Sequence, residues 1–270
     1  MLIAFIGGGT MATALISGLI RSGQTDVTVR VSDPNQDARR RLQSDFGITV
    51  SADAPSAVTG ADVVVLAVKP QVMPIVLQDL SGLLQPQQLV LSIAAGTTMQ
   101  RIAASLGPAQ AIIRCMPNTP ALIGEGITGL CANTQCRDHH RRQAERVLRV
   151  AGEIVWIPDE SMMNAVTAIS GSGPAYFFAL TEALADAGAR LGLPTEVANE
   201  LAIRTCAGAG AMLKNSAESV SELRQRVTSP GGTTQAALAS LASDHFAELV
   251  YRAAAAAHQR GSELSGESTN

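Results

Sequence analysis

Residues 2–12 constrain this chain more than any other segment. The apolar run Leu2-Ile3-Ala4-Phe5-Ile6 passes without a break into Gly7-Gly8-Gly9-Thr10-Met11-Ala12, and a helical pattern over Met11-Ser22 follows. The six residues fit GxGxxG/A at a strand-to-helix junction, the setting in which that spacing has a mechanism. Gly7 permits the tight turn, Gly9 lets the backbone approach a pyrophosphate, and Ala12 is small enough for the helix to lie on the sheet. The helix start then offers free N–H groups and a positive dipole end to phosphate. Gly7, Gly8, Gly9, Thr10 and Met11 are therefore expected to meet a dinucleotide.

The pattern continues down the first half. Apolar, β-branched runs at Val27-Val31, Val63-Val68, Leu89-Ile93 and Ile112-Cys115 are joined by weaker ones at Ile127-Cys131 and Ile154-Ile157. Amphipathic stretches such as Gln36-Phe46 lie between them. Continuous apolar strands separated by helices predict strands buried on both faces. Beyond Pro158 the strand signal stops, and helical patterns run over Glu160-Ser170, Pro174-Leu191, Pro194-Asn215, Ser219-Thr228, Gly232-Ala242 and His245-Leu264. The expected fold is α/β: a Rossmann-type, doubly wound, mostly parallel sheet over 1–158, followed by an all-α domain over 159–270 for substrate binding and dimerisation. The polar tail after Leu264 is expected to fray.

Composition narrows the function. With 46% apolar but only 3% aromatic residues, the core must be built from Ala, Leu, Val and Ile. A net charge of -3 offers no basic surface for nucleic acid. Cys115, Cys131, Cys136 and Cys206 form no CxxC pair and no metal-ligand spacing, so they read as thiols in a reducing compartment and no metal is expected. No basic leader precedes Leu2 and no apolar run reaches bilayer length. A cytoplasmic protein without membrane or nucleic-acid partners is the expectation.

Further candidates lie at the ends of the later strands. The second runs into Ser32-Asp33-Pro34, and Asp33 lies roughly twenty residues beyond Gly9, the separation of a ribose-binding acid. An aspartate there accepts hydrogen bonds from a free 2'-hydroxyl and repels a 2'-phosphate. The nearby Arg30, Arg39 and Arg40 could neutralise such a phosphate, and Asp33 could equally be a plain turn residue, so NADH and NADPH both stay open. Ala67-Val68-Lys69-Pro70 and Ala94-Ala95-Gly96 follow the next two strands, where small residues suit a flat ring; Lys69 could touch ribose or only cap the crevice. Asn118 lies in the rigid polar turn Met116-Pro117-Asn118-Thr119-Pro120.

Two Gly-rich segments mark the helical half. Ser170-Gly171-Ser172-Gly173-Pro174-Ala175-Tyr176 opens one helix, and Thr228-Ser229-Pro230-Gly231-Gly232-Thr233-Thr234 opens another. Such loops supply amide and hydroxyl donors without a titrating group, suited to a small carboxylate; each could also be an ordinary turn with an N-cap. Together with Phe5-Ile6-Gly7-Gly8-Gly9-Thr10-Met11-Ala12, Ala67-Val68-Lys69-Pro70, Ser92-Ile93-Ala94-Ala95-Gly96, Arg114-Cys115-Met116-Pro117-Asn118-Thr119-Pro120 and Ala165-Val166-Thr167, these segments resemble the pyrroline-5-carboxylate reductases over nearly the whole chain. Val227-Thr228-Ser229-Pro230-Gly231-Gly232-Thr233-Thr234 is the most diagnostic match.

The resemblance implies reduction of 1-pyrroline-5-carboxylate to L-proline by hydride from NAD(P)H, the last step of proline synthesis. It also implies an interlocked homodimer, or a higher homo-oligomer built on it. In that setting Ser229 and the amides around Gly231 and Gly232 are expected to hold the substrate carboxylate, with Thr233 and Thr167 nearby. Thr234 is expected to hydrogen-bond the ring nitrogen and relay a proton. Two positions depart from the family: Asp33 stands where many members have a serine that meets the 2'-phosphate, and Ala54 where an asparagine often contacts the adenosine end.

The enzymatic alternative is a β-hydroxyacid dehydrogenase, which needs a base, usually the lysine of a GxGxxxK run. Gly171-Ser172-Gly173-Pro174-Ala175-Tyr176 is followed by Phe177, so that lysine is missing. A non-catalytic NAD(P)-binding protein is the other alternative, and the intact second Gly-rich loop argues against it.

Overall fold

The structure, a computed structural model, describes residues 1–266. Eight strands, β1 (Leu2–Ile6), β2 (Thr28–Ser32), β3 (Thr49–Ser51), β4 (Val63–Leu66), β5 (Leu89–Ser92), β6 (Ala111–Met116), β7 (Gly126–Ala132) and β8 (Gly152–Trp156), form one sheet in the order β3-β2-β1-β4-β5-β6-β7-β8. The first six are mutually parallel; β7 runs antiparallel to β6, and β8 runs parallel to β7. The chain changes direction across the sheet between β3 and β4, which places the switch point at the β1/β4 boundary, where this architecture opens its ligand crevice.

The sheet is covered on both faces at its centre, which is why β1 and β4 are apolar throughout. Along β1, Ile3 and Phe5 enter one core and Ala4 and Ile6 the other. The first core is closed by α1 (Thr10–Arg21), α2 (Gln36–Phe46) and α6 (Asp138–Leu148), through Leu15, Ile16, Leu42 and Val147. The second is closed by α3 (Ala54–Val58), α4 (Met73–Leu80) and α5 (Met99–Leu106), through Val58, Leu77, Leu80 and Ile102. Strand β3 was not among the sequence expectations. It is three residues long and partly polar, so it has no apolar run to announce it.

One polar residue of this scaffold gives a pH dependence. His140 on α6 is buried; its Nδ1 accepts the Arg137 N–H at 3.2 Å, and its Nε2 lies 3.3 Å from the Gln87 carbonyl. The neutral Nε2–H tautomer satisfies both contacts, whereas a proton on Nδ1 would face a donor. Burial pushes the His140 pKa down. The unfolded chain therefore binds the proton first as pH falls, so this contribution is whole above about pH 6.5 and is lost on acidification through the lowered native value. Thermal melts from pH 7.5 to 5 are expected to fall more steeply for the wild type than for His140→Gln. Parallel curves would remove His140 from that dependence.

Helical structure follows the sheet: α7 (Met163–Val166), a π turn over Thr167–Gly171, α8 (Gly173–Arg190), α9 (Thr195–Asn215), α10 (Val220–Arg226), α11 (Thr233–Ser243) and α12 (Phe246–Ser265). The strands end at Trp156, close to the expected boundary at 158, but the compact units divide elsewhere. One comprises Met1–Ser172 and resumes at Ala257; the other is Gly173–Ala256. This division has a packing cause. A Cβ on Gly129 of β7 would stand 2.6 Å from Val166, and one on Gly171 would stand 2.5 Å from Met116, so α7 and the π turn lie on the sheet. The end of α12 joins the same unit, where the buried Asn164 Nδ2 donates to the buried Ser262 Oγ at 3.1 Å.

The second unit is built on the α8–α9 pair and buries little of its apolar surface alone. Ala185, Ala198, Ala202 and Leu223 are buried, yet Phe178 is 67% exposed and Ile203 55% exposed. Apolar faces this open mark an association surface.

Candidate active site

Strands β1, β4, β5 and β6 run in one direction, so the segments that follow them gather at one edge of the sheet. Gly7 sits at the tightest point. Its φ is +100°, and a Cβ there would stand 2.7 Å from the Ala67 carbonyl oxygen. The loops leaving β1 and β4 thus touch backbone to backbone, and only glycine fits between them. Gly9 differs: it is exposed, and a Cβ placed on it would meet nothing within 4 Å. It is also the N-cap of α1 with no capping side chain, so the first-turn amides around Thr10 and Met11 keep their donors free. Open space, free amides and the positive end of a long helix fit a pyrophosphate.

The other predicted coenzyme residues lie at or just beyond the ends of the neighbouring strands. Ser32 is buried, and its carbonyl accepts the Gly7 N–H at 2.8 Å. The Asp33 carboxylate accepts the Gly8 N–H at 2.8 Å through Oδ2 and the Asn35 N–H at 2.8 Å through Oδ1. Lys69 is exposed, between half-buried Val68 and Pro70. Ala94 and Gly96 are buried, and Gly96 has φ +69°. Asn118 has a structural task besides any ligand contact: its Nδ2 donates to the Ser170 carbonyl at 3.1 Å, while its Oδ1 accepts the Ile127 N–H at 3.0 Å. It ties the turn after β6 to the start of β7 and to the π turn.

Two groups around this edge escaped the sequence reading. A Cβ on Gly96 would stand 3.1 Å from the Leu264 Cβ and 3.2 Å from its carbonyl oxygen, so the last turn of α12 lies against the loop after β5. Nothing in the sequence spacing links positions 96 and 264. The second is a buried ion pair. Arg114 on β6, 3% exposed, donates to Glu160 Oε1 at 3.0 Å, and the same oxygen accepts the Met99 N–H at 2.8 Å. This joins β6, the start of α5 and the segment leading into α7.

Thr167 opens the π turn, and its hydroxyl donates to the Met163 carbonyl at 2.8 Å. A π turn is uncommon and recurs at functional sites.

In the second unit the loop before α11 has its own geometry. Gly231 has φ +70°, which its glycine permits. The amides expected to hold a carboxylate are engaged: Gly231 N–H donates to Gln235 Oε1 at 2.6 Å, and Gly232 N–H donates to the Ser229 carbonyl at 3.0 Å. Gly232 is the N-cap of α11 with no capping side chain, which leaves the first-turn amides at Thr233 and Thr234 as the free donors. The amides of this loop still open to an anion are therefore those of the two threonines, not those of the two glycines. Ser229, Gly231 and Thr233 are exposed and Thr234 is half-buried. The segment 228–234 carries no titrating side chain.

Elsewhere, burial pushes the Cys115, Cys131 and Cys136 thiols up, away from reactive thiolates. Among the described residues no group of three or more His, Cys, Asp or Glu could hold a metal ion, and no helix is long and apolar enough to cross a membrane.

Comparison with known proteins meets this geometry at both ends. A family model for pyrroline-5-carboxylate reductase dimerisation matches residues 160–264, and one for coenzyme F420-dependent NADP oxidoreductases matches residues 2–96. A pyrroline-5-carboxylate reductase of Pseudomonas aeruginosa is 47% identical over 97% of this chain and 96% of its own length. The chain belongs to the pyrroline-5-carboxylate reductase family. A solved pyrroline-5-carboxylate reductase from Coxiella burnetii superposes with a TM-score of 0.93 at 40% identity, covering 97% of this chain and 98% of the relative. The Plasmodium falciparum pyrroline carboxylate reductase, solved with NADP bound, gives 0.83 at 29% identity over 98% of both chains. The family's dimerisation segment takes in the exposed faces of α8 and α9 and the whole loop before α11.

Proposed function

We propose that this chain reduces 1-pyrroline-5-carboxylate to L-proline with a hydride from NAD(P)H, closing proline synthesis in the cytoplasm, and that it works as a homodimer or a higher homo-oligomer built on that dimer. Residues 1–158 serve the coenzyme in this reading, and 159–270 serve substrate and association. The observation that carries it is the loop 228–234: amides and hydroxyls at an uncapped helix start, with no base among them. Oxidising an alcohol requires a base to take the hydroxyl proton, whereas a protonated imine is already electrophilic and requires orientation and a dry site.

Bound NAD(P)H supplies the hydride. The remaining work belongs to the chain. The α1 start and Gly9 hold the pyrophosphate, and the Ala94-Ala95-Gly96 loop supports the nicotinamide end. The amides of Thr233 and Thr234, with the Ser229 hydroxyl, anchor the substrate carboxylate. The Thr234 hydroxyl meets the ring nitrogen and keeps its proton in place while the adjacent carbon accepts the hydride. Thr167 lines the substrate side.

Adding pyrroline-5-carboxylate to the full chain with NADH or NADPH is expected to consume reduced coenzyme and yield one proline per coenzyme oxidised. Coenzyme binding with no turnover would leave only a non-catalytic NAD(P)-binding protein.

A further inference from the structure

We propose that Asp33 makes this enzyme NADH-selective. The proposal rests on the first unit binding a dinucleotide, as read above, and not on imine reduction.

Asp33 follows β2 directly, at the position where this architecture brings the adenosine ribose past the sheet. Its rotamer is fixed from two sides, with Oδ2 on the Gly8 N–H and Oδ1 on the Asn35 N–H, each at 2.8 Å. A carboxylate has about four acceptor positions, so two remain for the hydroxyls of a ribose diol. The bond to Gly8 also seats the charge beside the phosphate loop, because Gly8 lies between Gly7 and the N-cap of α1.

The same placement excludes a 2'-phosphate unless a cation offsets the repulsion; Arg30 and Arg39 are held on backbone carbonyls, while Arg40 and Arg41 lie exposed on α2. Arg30 Nη1 donates to the Thr59 carbonyl at 2.9 Å. Arg39 Nη1 donates to the Asp33 carbonyl at 2.7 Å and to the Pro34 carbonyl at 2.9 Å. Arg40 faces Asp37 at 4.0 Å on the solvent side of α2. Both Arg39 bonds hold its Nη1 against the Asp33 and Pro34 carbonyls, and a 2'-phosphate would still lie against the Asp33 carboxylate. Like charges so placed discriminate by about a hundredfold.

The test measures binding separately from turnover. Titrating the full-length protein with NADH and with NADPH, followed by coenzyme fluorescence, is expected to give a Kd at least about tenfold lower for NADH. Asp33→Ser is expected to raise the Kd for NADH and lower that for NADPH, moving the ratio by about a hundredfold. Asp33→Asn keeps an acceptor for the Gly8 N–H while removing the charge, and it is expected to move the ratio the same way by less. Wild-type protein binding NADPH as tightly as NADH would overturn the proposal, as would a ratio unmoved in both variants. Should either variant fail to fold, the wild-type ratio still decides. If neither coenzyme supports pyrroline-5-carboxylate reduction, the functional reading above fails while the Kd ratio continues to report on Asp33.

Discussion

Thr234→Ala is expected to lower kcat by about a hundredfold while leaving the Kd for reduced coenzyme within about twofold. Thr234 lies one residue into α11, half-buried, next to the uncapped amides proposed above to anchor the carboxylate. Its hydroxyl can donate to or accept from a ring nitrogen, and no titrating side chain in segment 228–234 can replace it. Losing it leaves the substrate bound by its carboxylate but free to tilt, and it takes away the group that holds the nitrogen's proton. The split between kcat and coenzyme Kd separates this role from a structural one, since alanine is a good helix former at that position. Thr234→Ser keeps the hydroxyl and is expected to recover most of the turnover. Steady-state kinetics beside a coenzyme titration make the measurement, and an unchanged kcat in the alanine variant would take Thr234 out of the reaction.

The second large effect lies in stability. Glu160→Ala strands the guanidinium of Arg114, only 3% exposed, and frees the Met99 N–H as well. Breaking a buried pair from one side costs about 3–5 kcal/mol. The Glu160 side chain is 22% exposed, which lets water reach the pair and favours the lower end of that range. A fall in melting temperature of about 5–10 °C follows for a chain of this size. The double replacement Arg114→Met with Glu160→Leu removes both charges together and is expected to recover much of the loss. Calorimetry of the three proteins decides it: a single variant melting with the wild type would mean that Arg114 finds water or another partner.

The sequence was most legible where one residue type admits one geometry. Strands buried on both faces read as unbroken apolar runs, and the glycine at the β1/β4 contact marked itself through the turn it had to make. The helices expected from Met11 and from Gly232 begin within one residue of that, at Thr10 and Thr233, where a glycine run ends. What escaped was fixed by neighbours remote in sequence. Residues 49–51 become a strand because β2 offers an edge, not because they are apolar. The Gly231 amide is occupied because the Gln235 side chain folds back on it, which composition does not foretell. Arg114 with Glu160, and Asn164 with Ser262, meet only once the chain has been wound. The division of the chain moved for the same cause: α7 and the π turn read as helix, yet they are held by β7 and the end of β6.

The contact between Gly96 and Leu264 sets an order of events during synthesis. The loop after β5 emerges from the ribosome well before Leu264, the residue that packs on it. A nascent chain can therefore wind its parallel sheet and form the turn at Gly7 while the loop after β5 still lacks that neighbour. That loop gains its neighbour only once α12 has been made.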